Sequence, residues 1–257
     1  EICACLVGSE MCIRDSCQIL LANTSNQVEK ELEFLKIFRT NNVDGVIFMG
    51  TLMSKRHLTV MRSYQKPIVL LAQQEEIIPS VYFDDYQSAY LATEILLKRD
   101  CREIAYIGVT LKDRAVGRNR RIGFTDALAQ YQIQPDERRM VETQFDMEDG
   151  YEAARILMER NVPFDGIFCA TAELAFGAMS YLRQQNVLVP EQVKVSAVGN
   201  NRLATLYDPP LTTVSLSHRT GGSEAAAMLL DLIQEQEIPR RSEKMICCLH
   251  ERKSTLG

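Results

Sequence analysis

Residues 165–199 read DGIFCATAELAFGAMSYLRQQNVLVPEQVKVSAVG. The opening DGIFCAT is a short apolar run with no polar alternation, the mark of a strand covered on both faces. Residues 173–186 then have helical spacing, and VKVSAVG (193–199) is a second buried strand. A strand, a helix of about a dozen residues and another buried strand make a right-handed βαβ unit in a parallel sheet.

The same alternation runs outward in both directions. Upstream, residues 149–160 place Ala153, Ala154, Ile156 and Leu157 on a helix, and RRMVET is a strand. Residues 118–131 form a helix with Phe124, Ala127 and Leu128 inward, after the buried strand EIAYIGV (103–109). Residues 86–98 set Ala89, Ala92, Leu96 and Leu97 at helical spacing behind VYFDD. PIVLLA (67–72) and VDGVIFMG (43–50) are strands around the helix SKRHLTVMRSYQ. A capping-box-like start at Asn26 and Glu29 opens a helix carrying Leu32, Leu35 and Phe38, and CQILLANT (17–24) is a strand before it. Downstream come the strand LTTVSL, a helix over 222–234 and KMICCLHER as a closing strand.

This many units would make one sheet unusually wide, so two doubly wound parallel-sheet α/β subdomains fit the 257 residues better. DGVIFMG and DGIFCAT are alike, which fits a duplicated half and fits equally any two core strands of an α/β protein.

Composition limits the function. The chain is 46% hydrophobic and 25% charged, with net charge −5, a globular balance without the basic face that direct nucleic-acid binding needs. No apolar run reaches membrane-spanning length, and no secretory signal is visible behind Glu1, Glu10 and Asp15. The eight cysteines include no CxxC pair and no framework of spacings, which reads as a reduced cytoplasmic protein with no metal and no cofactor. There is no GxSxG elbow, P-loop or GxGxxG, and no histidine beside a nucleophile, so the chain reads as a non-enzyme.

Polar residues do recur just past the strand ends: Thr51 and Ser54, Gln73 and Gln74, Thr110 and Asp113, Thr171 and Glu173, Asn200 and Asn201. In open parallel sheets such ends share one rim, and two facing rims would make a ligand cleft between the subdomains. Hydroxyls, amides, a carboxylate and the nearby Arg120 suit a neutral polyol. Adjacent Asp84 and Asp85 point apart, which favours a helix cap plus a ligand acceptor over an acid–base pair.

DRAVGRNRRIGFTDAL (113–128), the 165–201 stretch, DPPLTTV (208–214) and the closing ERKST stand in the order seen in LacI-type transcription repressors. From about Cys17 onward the chain resembles their effector-binding domain, and FCAT, VGNN and RKST are most similar to repressors of sucrose and oligosaccharide operons. The resemblance implies a periplasmic-binding-protein-like fold, a sugar effector between the subdomains, a homodimer and no membrane. It implies a first subdomain of 17–109 plus 218–236 and a second of 110–217 plus 237–257, with three crossings between them. Arg120 matches an arginine aimed at sugar hydroxyls, Asp85 a cleft-lining position, Thr171 a frequent asparagine and Asn200 a position near a usual aspartate. With Gln73 and Asp113 from the strand ends, these are the expected ligand-binding residues. Ala172 departs from the pattern where an aspartate is common, which bears on either a ligand contact or the cap of the following helix.

The family's helix-turn-helix domain, which would bind operator DNA, has no counterpart here, nor do its hinge and the first strand and helix of the effector domain. EICACLVGSEMCIRDS (1–16) fits no part of the family and resembles translated adapter read-through. The expectation is a non-native front on a truncated repressor that is poorly stable on its own, because an unpaired sheet position and an uncovered face remain. A soluble chain with cooperative unfolding would contradict this. The alternative function is the solute-binding receptor of a sugar transporter with the same fold.

Overall fold

In the computed structural model, residues 17–234 and 241–256 are described. Residues 1–16, 235–240 and 257 lie outside them, and with them the expected non-native front and the expected boundary between 236 and 237. The chain forms two compact units. One comprises the residues up to Phe83 and Ser217–Met245, the other Asp84–Leu216 and Ile246–Gly257, so the chain passes between them three times.

The first unit holds a parallel sheet in the order β1 (Val46–Phe48), β2 (Ile68–Leu71), β3 (Ser80–Phe83), β9 (Ser242–Met245). Helices α1 (Val28–Thr40) and α2 (Lys55–Arg62) pack Leu35 and Met61 against Val46, Phe48, Ile68 and Leu70. Helix α7 (His218–Ile233) sets the His218 ring edge-on to Phe83, with centroids 4.6 Å apart. Ser54 caps α2, and its N–H donates to His57 Nδ1 at 3.2 Å, so the ring proton sits on Nε2. Nε2 faces Glu31 Oε2 at 3.0 Å, with both side chains buried. Burial pushes the Glu31 carboxyl up and the His57 imidazole down, so both favour their neutral forms.

The second unit holds six strands in the order β10 (Cys247–His250), β8 (Thr212–Leu216), β7 (Lys194–Val198), β6 (Gly166–Cys169), β4 (Ile104–Val109), β5 (Met140–Thr143). Its core follows from the period of 2. Ala105, Ile107 and Val109 of β4 and Ile167 and Cys169 of β6 point to one face. There they meet Leu157 of α5 (Met147–Glu159) and Phe176 and Leu182 of α6 (Ala172–Gln184). Tyr106 and Phe168 point to the other face and close on Phe124 of α4 (Arg120–Gln130), with centroids 5.0 and 5.8 Å from it. Beside α4 lies α3 (Asp85–Lys98). Helices α5 and α6 approach through Gly150 and Gly177. A Cβ on Gly177 would strike the Met147 carbonyl oxygen, and one on Gly150 the Leu174 carbonyl oxygen.

The doubly wound α/β architecture agrees with the expectation, and four details correct it. The first unit ends at Phe83, not at Val109. The 104–109 strand pairs in register with β5 and β6, so it and α3 belong to the second unit. KMICCLHER is two strands: β9 pairs parallel to β3, whereas β10 runs antiparallel to β8, making that sheet mixed. Residues 17–24 form no strand, and Ile19, Leu20 and Leu21 are exposed. Helix α1 is capped at Gln27 without a side-chain bond, since Asn26 adopts φ 57°, a left-handed conformation that asparagine tolerates.

Burial sets the chemistry of two thiols. It pushes Cys101 up to about 12 and Cys169 further upward, so both stay protonated. Native-state alkylation at pH 8 with peptide mapping should label the exposed Cys248 and leave Cys101 and Cys169 untouched until guanidinium unfolds the chain. Rapid labelling of Cys169 in the native state would show that this core opens.

Candidate functional site

In the second unit, β4 leads to β5 on one side, and the chain then returns to place β6 on the other. The carboxyl ends of β4 and β6 are therefore the topological switch point, the place where open α/β sheets bind ligands. Helix α4 follows β4 and packs on α3, which lies over β7 and β8.

Arg120, the first residue of α4, sits at the switch point and is only 6% exposed. Its Nε donates to Asp85 Oδ1 at 2.8 Å, its Nη2 makes an ion-pair contact with the same oxygen at 2.7 Å, and its Nη1 donates to the Ala170 carbonyl oxygen just past β6. With Nε and one Nη1 N–H donating and Nη2 beside Asp85, each Nη keeps at least one further N–H. Asp85 opens α3 and is also buried. Its neighbour Asp84 caps the helix by accepting from Gln87 N–H at 3.1 Å, so the adjacent carboxylates do separate work.

Asp113 lies in the loop after β4 and is 1% exposed. Its Oδ1 accepts from Val116 N–H at 2.9 Å and caps the π-helical turn Arg114–Asn119 that delivers Arg120. Its Oδ2 is buried and unpaired. Burial raises the Asp113 carboxyl above its ordinary range, the Val116 N–H and Arg120 oppose that, and the Asp85 charge adds to it.

Thr171, just beyond β6, is the N-cap of α6 and accepts from Leu174 N–H at 3.3 Å, which leaves its hydroxyl proton available. Because threonine caps the helix, the buried alanine at 172 does not leave α6 uncapped. Thus Asp85, Asp113 and Arg120 come together around the ends of β4 and β6, with Thr171 next to Ala170.

The other two expected residues have protein partners of their own. Gln73 belongs to the first unit, where its Nε2 donates to the Thr51 carbonyl oxygen at 3.2 Å and joins the loops after β1 and β2. Asn200 follows the left-handed Gly199 (φ 109°) and turns its Oδ1 to Arg252 Nη2 at 2.7 Å and Thr213 Oγ1 at 3.1 Å. That oxygen is occupied by protein donors. Its neighbour Asn201 reaches Glu173 Oε1 at 3.0 Å, at the start of α6.

Arg252 was not among the expected residues, although it stands in the ERKST motif. It also donates to the Leu211 carbonyl oxygen at 2.6 Å and to Thr213 Oγ1 at 2.9 Å, tying the closing segment to the loop after β7. Arg252→Ala should raise amide hydrogen exchange over residues 199–206 at least tenfold, with a stability loss of about 1–2 kcal/mol. Unchanged exchange there would mean that the loop holds itself. Among the described residues no His, Cys, Asp and Glu cluster has metal-binding geometry, and no helix is long and apolar enough to cross a membrane.

Residues 93–255 match the family described as periplasmic binding protein-like domain. The HTH-type transcriptional regulator RegA of Clostridium saccharobutylicum is 29% identical over 240 residues, covering 93% of this chain and 72% of that protein. The transcription regulator CcpA of Lactococcus lactis superposes with a TM-score of 0.89 at 27% identity, covering 96% of this chain and 91% of that one. The transcriptional regulator CelR in its cellobiose complex also gives 0.89, at 25% identity, over 96% of this chain and 76% of the other. The chain belongs to the periplasmic binding protein-like domain family, as the effector-binding portion of a LacI-type regulator.

Proposed function

We propose that this chain senses a sugar and that the protein it belongs to represses a carbohydrate-use operon. The observation that carries the reading is Arg120, anchored by Asp85 and the Ala170 carbonyl at the switch point with at least one N–H left on each Nη. A guanidinium fixed in this way spans two neighbouring hydroxyls with little ordering left to do on binding. The cellobiose complex of the similar CelR supports a sugar as the ligand class. The protein acts in the cytoplasm as a homodimer, reads operator DNA through a separate DNA-binding domain, and uses no catalytic group. Sugar switches it by binding two conformations unequally, since equal binding shifts nothing.

The test is a thermal-shift screen against mono- and disaccharides, followed by a gel-shift assay of the gene product on its upstream DNA. One sugar should raise the melting temperature and change DNA retention over the same concentration range. A screen in which no sugar moves the melting temperature would overturn the reading.

A further inference from the structure

We infer that Asp113 makes this site selective for neutral, unphosphorylated sugars, accepting a ligand hydroxyl on its free oxygen and turning away anionic sugars such as sugar phosphates and uronates. The inference rests on the sugar-sensing reading above.

Three charged side chains are buried around the switch point: Arg120, Asp85 and Asp113. Arg120 is ion-paired with Asp85, whose Oδ1 meets both Nε and Nη2. The third guanidinium contact goes to a backbone carbonyl, not to Asp113. Asp113 is therefore the one carboxylate of these three without an ion-pair contact, although the Val116 and Ala115 N–H groups and the Arg120 charge partly offset its burial. One of its oxygens is used as a cap, and the other is buried with no donor.

A buried acceptor without a donor is costly, and a ligand group that supplies the donor recovers that cost. A hydroxyl is such a donor. A phosphate or carboxylate brings no proton and adds a like charge in a desolvated place, where like charges disfavour each other strongly.

The test uses the full chain and its Asp113→Asn variant. Asparagine keeps an oxygen for the Val116 N–H and removes the charge, so the cap survives. Titration calorimetry compares glucose, sucrose and cellobiose with glucose 6-phosphate and glucuronate. The wild type should bind its best neutral sugar at least tenfold more tightly than either anion. In the variant, neutral-sugar affinity should fall at least tenfold and the preference over the anions should collapse. Sugar binding with the preference unchanged in the variant, or a wild type that prefers glucose 6-phosphate, would overturn this inference and leave the sugar-sensing reading standing. Heat from none of these ligands would overturn both.

Discussion

Replacing Arg120 with alanine should lower the stability of the second unit by about 3–5 kcal/mol and abolish sugar binding. The stability loss follows from burial. Arg120 and Asp85 pair with side chains only 7% and 4% exposed, and removing the cation strands a carboxylate in a place without water. The Ala170 carbonyl loses its donor as well. Denaturant unfolding at pH 7, followed by circular dichroism, measures the change. The double variant Arg120→Met, Asp85→Leu separates the two consequences. Apolar side chains of similar volume should restore most of the stability, because a buried pair gives little net stabilisation over a packed apolar one. Sugar binding should stay absent, because no guanidinium remains to meet the hydroxyls. A single variant that loses under about 1 kcal/mol would show that water reaches Asp85 and that the pair is not buried in solution.

The second large effect is expected at Phe124. Its ring is fully buried, lies nearly parallel to Phe168 and tilts against Tyr106. Phe124→Ala should cost about 3–5 kcal/mol, the transfer of the ring plus the cavity it leaves between α4 and the sheet. Because Phe124 lies one turn after Arg120 on the same helix, loosening its seat also loosens the guanidinium. The variant should bind sugar more weakly as well as unfold earlier. Phe124→Leu, which fills more of the space, should recover a good part of both. Full sugar affinity in a strongly destabilised Phe124→Ala chain would mean that Arg120 is held by its polar partners alone.

Much of the architecture was legible because its signals are local. The run IAYIGV sends Ile107 and Tyr106 to opposite faces by its period of 2, and both faces are apolar, so a doubly covered strand was the natural reading. Which sheet that strand joins is not local. The residues of β3 and β4 look alike, and only their partners, Ser242–Met245 for one and Met140–Thr143 with Gly166–Cys169 for the other, assign them to different units. The closing run hides its break for the same reason. Nothing in MICC marks Ile246 as the residue where the chain leaves one sheet for another.

The candidate site divides along similar lines. Arg120, Asp113 and Asp85 were found from strand-end position and from motif, and the fold brings together residues 7 and 35 positions from Arg120. That the guanidinium is satisfied by Asp85 and the Ala170 carbonyl could not be read from spacing, since both contacts depend on how α3 and β6 stand beside α4. The partner of Asn200 was not legible because Arg252 lies 52 residues further on and reaches it only after β10 has paired with β8. A polar residue past a strand end faces the rim only if no protein donor claims it first.

The most direct measurement is a crystal structure of the chain with the sugar that gives the largest thermal shift. The account predicts two neighbouring sugar hydroxyls at about 3 Å from Nη1 and Nη2 of Arg120, with Asp85 still holding Nε. A sugar bound elsewhere, with Arg120 touching only Asp85 and Ala170, would contradict it.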